Sequence, residues 1–295
     1  MADYVITTCS TQDISDARCE KRDIKYVSFH FELDGKQYPD DNGKTLGFKE
    51  FYDAMRNGAM TKTSQVNVEE YEGFWEPFLK EGKDIIHLCL TSGISGSINS
   101  ANIAKDNLME KYPDRKLYVV DSLAASVGMG LLVDTLADMR DEGKSIDELY
   151  EFAEANKKRI HHWFTTPDLT YLIRGGRVSK AAGMIGTMLN ICPLLNVDYQ
   201  GKLVSREKIR GKKKVYQRMV QIMEEHAEGG LDYNKKCFIG MTDCMEDAEN
   251  MVSMIEGKFT KMAEPMEIQW VGSTIGAHTG PGLIVIAFWG DERVD

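Results

Sequence analysis

The sequence predicts an α/β protein of two α/β domains, residues 1–158 and 159–295, the first with a parallel sheet and the second with a mixed sheet and helices. Three observations predict it. Buried-strand runs such as DIIHLCLTS and RKLYVVDS alternate with polar loops and helical periodicity through the amino-terminal half. That order makes a parallel sheet with right-handed helical crossovers. Near residue 155 the pattern changes to extended stretches joined by short turns. The chain has 295 residues, 42% of them hydrophobic, enough to core both parts.

YVITTCS reads as a short buried strand running into a polar turn, and DIKYVSFHFELDGKQY as extended chain turning at Asp34-Gly35. KEFYDAMRNG spaces Phe51, Tyr52 and Met55 for one helix face, with Gly58 as its stop. TKTSQ reads as a polar turn, and EEYEGFWEPFLKEG as a helix disturbed by Pro77. The strand Ile85–Leu90 leads into TSGISGS and then the helix NSANIAKDNLMEKY. RKLYVVDS is a further strand, followed by the helices SVGMGLLVDTLADMRDEG and SIDELYEFAEANKKRI. HHWFTTPDL opens a less regular stretch. PLLNVDYQGKLV and REKIR are extended, KKVYQRMVQIMEEHAEGG is helical, and DAENMVSMIEGKFTKM is a helix between strands KKCFIGMTD and MEIQWVGST. GLIVIAFWG is the last strand.

A net charge of −10 disfavours non-specific binding to nucleic acid or anionic membrane. The start MADYVITTCS lacks a basic segment before a long apolar run, and GLIVIAFWG is too short to span a bilayer as a helix. The six cysteines form no CxxC pair. The expectation is a cytoplasmic protein with reduced thiols and no stable membrane insertion. No metal is expected: His161-His162 is an adjacent pair, and no HxH, HExxH or cysteine cluster supports a site.

In open parallel sheets, ligands bind beyond the carboxyl ends of the strands. TSGISGS, residues 91–97, and Asp121-Ser122 occupy that position. Its hydroxyls and the free N–H groups of the following helix suit a carboxylate or phosphate, although Ser95 or Ser97 can equally serve as a simple helix cap. The loop is neither a Walker A loop, nor GxGxxG, nor a G-x-S-x-G elbow. TKTSQ matters only if folding brings Thr63 and Ser64 beside Ser95. In RGGRVSKAAGMIG, the glycines are explained by a turn, but Arg177 offers a donor fork for an anion. Met184, Ile185, Met188 and Leu189 suit either a plain core helix or an adaptable apolar pocket. REKIRGKKK, residues 206–214, is basic without interleaved aromatics: a solvated surface or a docking face, with no base-stacking platform. GAHTGPG sets His278 among small residues at a turn, as an acid/base or anion-contact candidate. These residues together point to an anion held near hydroxyls, Arg177 and His278.

VITTCSTQDIS, TKTSQ, TSGISGSINSA, VVDSLAASVGMGLLV, LTYLIRGGRVS, KIRGKKKV and IGAHTGPG, in this order, resemble the DegV family across nearly the whole chain. The resemblance implies a Rossmann-like first domain that binds no nucleotide and a second domain with a mixed sheet. It implies one long-chain fatty acid, such as palmitate, stearate or oleate, with its carboxylate at the domain interface and its tail in the second domain. It further implies an acyl-binding subunit that hands the carboxylate to a separate ATP-binding fatty acid kinase subunit, whose acyl phosphate feeds phospholipid synthesis. On this chain Thr63, Ser64, Ser95 and Gly96 would hold the carboxylate. Arg177, His278 and Thr279 would lie by the headgroup or arriving phosphate, and Arg210 and Lys212 would face the kinase or a phosphate. Met184, Ile185, Met188 and Leu189 would line the acyl pocket. No cofactor is implied.

One departure stands out: TCST replaces a TDST-like turn, so Cys9 stands where aspartate is common. A nucleophilic role for Cys9 is not expected, since the sequence shows no base near it. Three rival readings lack signatures. A Ser95–His278 hydrolase lacks the elbow and an acidic third member. A self-sufficient kinase lacks a phosphate-loop lysine and a magnesium pair. A nucleic-acid protein using residues 206–214 runs against the net charge. A stand-alone lipid carrier or store without a kinase partner is also compatible with the residues.

Overall fold

The computed structural model describes residues 3–179 and 190–294. It is an α/β protein. β1 (Tyr4–Cys9) leads to α1 (Asp16–Lys21) and β2 (Ile24–Val27), followed by β3 (His30–Leu33), β4 (Lys36–Pro39) and α2 (Phe48–Arg56). β5 (Thr61–Ser64), α3 (Val68–Lys80), β6 (Asp84–Cys89), α4 (Ser97–Lys111) and β7 (Leu117–Asp121) follow, then α5 (Ser126–Asp141) and α6 (Ile146–Asn156). Beyond them come β8 (Ile160–Thr165), α7 (Thr170–Arg174), β9 (Ile191–Val197), β10 (Leu203–Arg210) and α8 (Lys212–His226). The chain closes with β11 (Phe238–Met241), α9 (Met245–Glu256), β12 (Ile268–Trp270), α10 (Ser273–Thr279) and β13 (Ile284–Trp289).

The order β2-β1-β6-β7 makes a fully parallel sheet. The order β10-β9-β8-β13-β11-β12 makes a mixed sheet, parallel only between β11 and β12. Every strand of the first ends by Asp121, and every strand of the second begins at Ile160 or later. α5 lies between them, touching β1 on one side and β8, β11 and β13 on the other. Its residues from Ser126 to Asp134 are all buried, because SVGMGLLV carries small or apolar residues on every side. One continuous apolar core therefore runs through both sheets.

Four elements differ from the sequence expectation. TKTS is a strand, not a turn: β5 pairs with β3 in a small antiparallel sheet, β4-β3-β5. Its alternation of half-buried and exposed residues is that of a strand with one face covered. HHWFTT is regular and central: β8 pairs antiparallel with both β13 and β9, and all six of its residues are buried. His278 sits inside the helix α10, not in a turn. Pro77 lies within an uninterrupted α3, whose start carries an Asn67–Glu70 capping box.

Candidate functional site

A cavity of about 640 Å³ opens at the carboxyl ends of the parallel strands, between that sheet, α10 and the mixed sheet. That volume lies in the range of small-molecule sites, roughly 300–1,000 Å³. Its inner walls are apolar: Phe29, Leu90, Leu172, Val197, Leu283 and Val285 line it, and each is buried. Its exposed edge is polar: Ser64, Gln65, Ser92, Gly96 and Asn99 line it and reach solvent. Both halves of the chain supply apolar wall.

The TSGISGS loop and β5 meet here because β5 leads directly into α3, which packs on α4. The carbonyl of Thr91 receives Ser95 N–H, and Ser95 Oγ accepts from Ser97 N–H at 3.2 Å. Ser95 thus turns the loop into α4, whose cap position is Gly96. Asp121 Oδ1 accepts from Ser92 N–H at 3.1 Å, so the end of β7 fixes the same loop.

α10 brings His278 to the cavity. Its first N–H groups point at buried carboxylates: Gly272 N–H donates to Asp13 Oδ1 at 2.9 Å, and Ser273 and Thr274 N–H donate to Asp40 at 3.2 Å each. A helix start with two carboxylates against it is well satisfied. Asp13 is held in turn by Ser126 Oγ at 2.5 Å and Asp40 by Ser10 Oγ at 3.3 Å. Burial pushes the Asp13 carboxyl up to about 7, and burial raises Asp40 as well. The small residues of IGAHTGPG are needed for close approach. A Cβ on Gly276 would strike the Tyr52 hydroxyl, and one on Gly280 would strike the Tyr171 ring.

His278 Nε2 lies 2.7 Å from Thr63 Oγ1. Burial, with Arg177 adding to it, pulls the imidazole down to about 4, so it is neutral at physiological pH. A neutral ring that donates through Nε2–H leaves the Thr63 hydroxyl proton free for a ligand. The Nδ1 edge of the ring abuts Gly175, where a Cβ would collide with Nδ1. Arg177 Nε donates to Ile94 O at 3.2 Å and Nη1 to Gly175 O at 2.5 Å. Its guanidinium thereby joins the TSGISGS loop to the RGGR turn. Burial lowers its pKa. Thr279 also lines the cavity, and its carbonyl accepts from Thr166 Oγ1 at 3.1 Å.

Folding thus brings together Thr63, Ser64, Ser95, Gly96, Arg177, His278 and Thr279 around one cavity. Arg210 and Lys212 do not line it: both are exposed, and Lys212 pairs with Asp247. Met184, Ile185, Met188 and Leu189 lie outside the described residues. Sequence reasoning missed Asp13, Asp40 and, as a cavity residue, His162. His162 lines the inner cavity and accepts from Ala125 N–H at 3.4 Å, and burial lowers its imidazole well below the usual range. A regular reading of β8 would have found it, since alternate residues of that strand face the cavity. The structure also corrects the reading of Cys9. A base does stand beside it: Sγ lies 3.5 Å from His87 Nε2 and 3.4 Å from the Tyr71 hydroxyl, in fully buried surroundings.

Fold and site define a class: an α/β protein with a parallel and a mixed sheet, and a deep apolar cavity edged by hydroxyls where they meet. Residues 4–290 match the model of the DegV family, described as uncharacterised proteins. A DegV domain-containing protein of Clostridium perfringens is 38% identical over 99% of both chains. The chain belongs to the DegV family. Among solved structures, a stearic acid-binding protein of Eubacterium ventriosum is 26% identical, with a TM-score of 0.84 over 96% of this chain and 97% of that one. The Streptococcus pneumoniae fatty acid kinase B3 protein, loaded with linoleic acid, has a TM-score of 0.84 over 99% and 100%; at 22% identity the likeness is one of fold. No helix among the described residues is long and apolar enough to cross a membrane.

Proposed function

We propose that this chain binds one long-chain fatty acid, with the tail in the apolar cavity and the carboxylate at its hydroxyl edge. The observation that carries this reading is the graded cavity: apolar and buried within, polar and exposed at the edge where Ser64, Ser95 and Gly96 meet Thr63 and His278. Burying about 15 methylenes gains on the order of 12 kcal/mol gross, before ordering and association costs. The carboxylate then needs donors, because a buried unpaired charge is costly. Thr63, Ser64 and Ser95 hydroxyls and the Gly96 N–H serve as those donors. His278 acts through Thr63, fixing which way its proton points.

Hydroxyl donors hold the anion without a tight ion pair, and this suits a carboxylate that must act as a nucleophile. In the proposed onward step, a carboxylate oxygen attacks the γ-phosphorus of ATP held by a separate kinase subunit in the cytoplasm. A P–O bond forms to the acyl oxygen, the bond to ADP breaks, and ADP leaves with the electron pair. Arg177 and Thr279 border the place where that phosphate arrives, and the exposed Arg210 and Lys212 offer positive charge to the partner. The acyl phosphate would pass to phospholipid synthesis.

The test has two stages. Lipid extracted from denatured protein should contain a C14–C18 acid in near one-to-one amount, and delipidated protein should rebind it. Ser95→Ala and Thr63→Val should each weaken rebinding by roughly tenfold, the loss of one hydrogen bond to a charged group. Absence of any acid together with failure to rebind would refute the binding reading. ATP-dependent acyl phosphate formation with the kinase subunit of the same genome then tests presentation. Binding without phosphorylation would leave a carrier or store.

A further inference from the structure

His161 and His162 are neighbours on β8 and so face opposite sides of the mixed sheet. His162 lines the cavity, whereas His161 faces the end of α8. There its ring stacks on His226, with centroids 5.1 Å apart and planes 22° from parallel. Asp291, just past β13, closes the group. Its Oδ1 lies 2.9 Å from His161 Nε2 and 3.2 Å from His226 Nδ1, and its backbone carbonyl lies 3.0 Å from His161 Nε2. One donor atom from each of the three residues falls within 4.8 Å of the others.

We propose that His161 Nε2, His226 Nδ1 and an Asp291 carboxylate oxygen form a binding site for a divalent transition ion of the zinc type. Two imidazole nitrogens and one carboxylate make the borderline N₂O donor set that such ions prefer over Mg²⁺ or Ca²⁺. In a tetrahedral zinc site with bonds of about 2.0–2.1 Å, neighbouring donor atoms stand about 3.3 Å apart. The separations from Asp291 are slightly shorter, and all three donor atoms lie within 4.8 Å of one another, so rearrangement of the solvent-reaching Asp291 and His226 side chains would admit the ion. His161 is buried and stacked on Phe288 at 5.2 Å, so its ring is held in place. The Asp291 side chain is 60% exposed, which leaves an entry path and a fourth position for water. The nearby cations are already engaged: Arg159 and Lys235 pair with Glu228, and Arg293 donates to backbone carbonyls.

The ion would tie three distant segments, β8, the end of α8 and the chain after β13, so the expected consequence is stabilisation. Zn²⁺ titrated into the full chain in a metal-free, non-chelating buffer should bind saturably at one per chain. It should raise the unfolding midpoint by about 5 °C at a hundredfold excess over Kd. Co²⁺ should give the visible bands of a four- or five-coordinate ion. His226→Ala and Asp291→Asn, both at solvent-reaching positions, should lower Zn²⁺ affinity at least tenfold and abolish the cobalt bands. His30→Ala, at a histidine outside the cluster, should leave both unchanged. Absence of saturable binding to the unaltered chain, or equal affinity in His226→Ala, would overturn the proposal. Fatty acid binding plays no part in these readouts.

Discussion

His278 shows how a single residue takes its role from what surrounds it. Its neutral ring is set by burial, its position by a glycine, and the role proposed for it by the hydroxyl at 2.7 Å. The depressed pKa has a stability consequence. Unfolded, the imidazole titrates near 6.5; folded, near 4. Between these values the unfolded chain binds more protons, so stability is fully present above 6.5 and is lost as pH falls toward 4. A shift of this size amounts to about 3 kcal/mol. Buried Asp13 titrates with the opposite sign, because its folded pKa is raised. The clean measurement is therefore a difference, since both proteins keep Asp13: urea unfolding of the unaltered chain and of His278→Gln between pH 7 and 4. The advantage of the unaltered chain should shrink by up to about 3 kcal/mol across that window, and a pH-independent difference would contradict the assignment. Gly175→Ala tests the positioning. Its methyl displaces the ring from Thr63, so acid affinity should fall several-fold in a binding assay while far-ultraviolet circular dichroism is unchanged.

At the scale of elements, α10 is a short helix whose start is carried by two acids from elsewhere in the chain. Asp40 accepts the Ser273 and Thr274 N–H groups and is 2% exposed. Asp40→Ala orphans both, at about 1–3 kcal/mol for each unsatisfied group, so chemical denaturation should show a loss of about 2–6 kcal/mol. Thr274 and His278 both line the cavity, so acid affinity should drop with it. Asp13→Asn should be mild, under about 1 kcal/mol, since an amide oxygen still accepts from Gly272 and the native carboxyl is already about half neutral at pH 7. Strands such as β6 and β13 were legible because a buried strand is a continuous apolar run. β5 was not, because TKTS earns its place through pairing with β3 rather than through apolar residues. β8 was obscured by two histidines and a threonine whose partners are Asp291 O, Ala125 N–H and Pro193 O, all remote in sequence. α10 was hidden by glycines whose reason is contact with Tyr52 and Tyr171, residues far off in sequence. The same holds at the site. Ser95, Arg177 and His278 stood out by local contrast, whereas Asp13, Asp40 and the metal-type cluster at His161 exist only through tertiary contact.

Across the whole molecule, Arg293 joins segments that the chain keeps far apart. Its side chain donates to the carbonyls of Val197 and Asp198 in the mixed sheet, to Leu123 at the start of the α5 loop, and to Lys157 and Lys158 between the halves. The residue is 4% exposed, and burial lowers its guanidinium to about 10, still charged at neutral pH. Val197 lines the cavity, and Ala125, two residues beyond Leu123, lines it too. The staple therefore holds opposite walls of the cavity without touching its contents. Arg293→Ala should cost about 4 kcal/mol, because several buried carbonyls lose their donor together. Acid affinity should fall as well, by about tenfold, since the ligand must now also draw the walls together. Linkage then fixes the ligand's own effect on stability. At the same concentration, fatty acid should raise the unfolding midpoint of Arg293→Ala by less than that of a variant of equal instability with its cavity walls intact, such as Asp134→Ala in the buried Arg18–Asp134–Lys236 bridge. Calorimetric scans of the two variants, with and without acid, decide it. Equal ligand-induced shifts, or unchanged acid affinity in Arg293→Ala, would mean that the two walls are held by the shared α5 core alone.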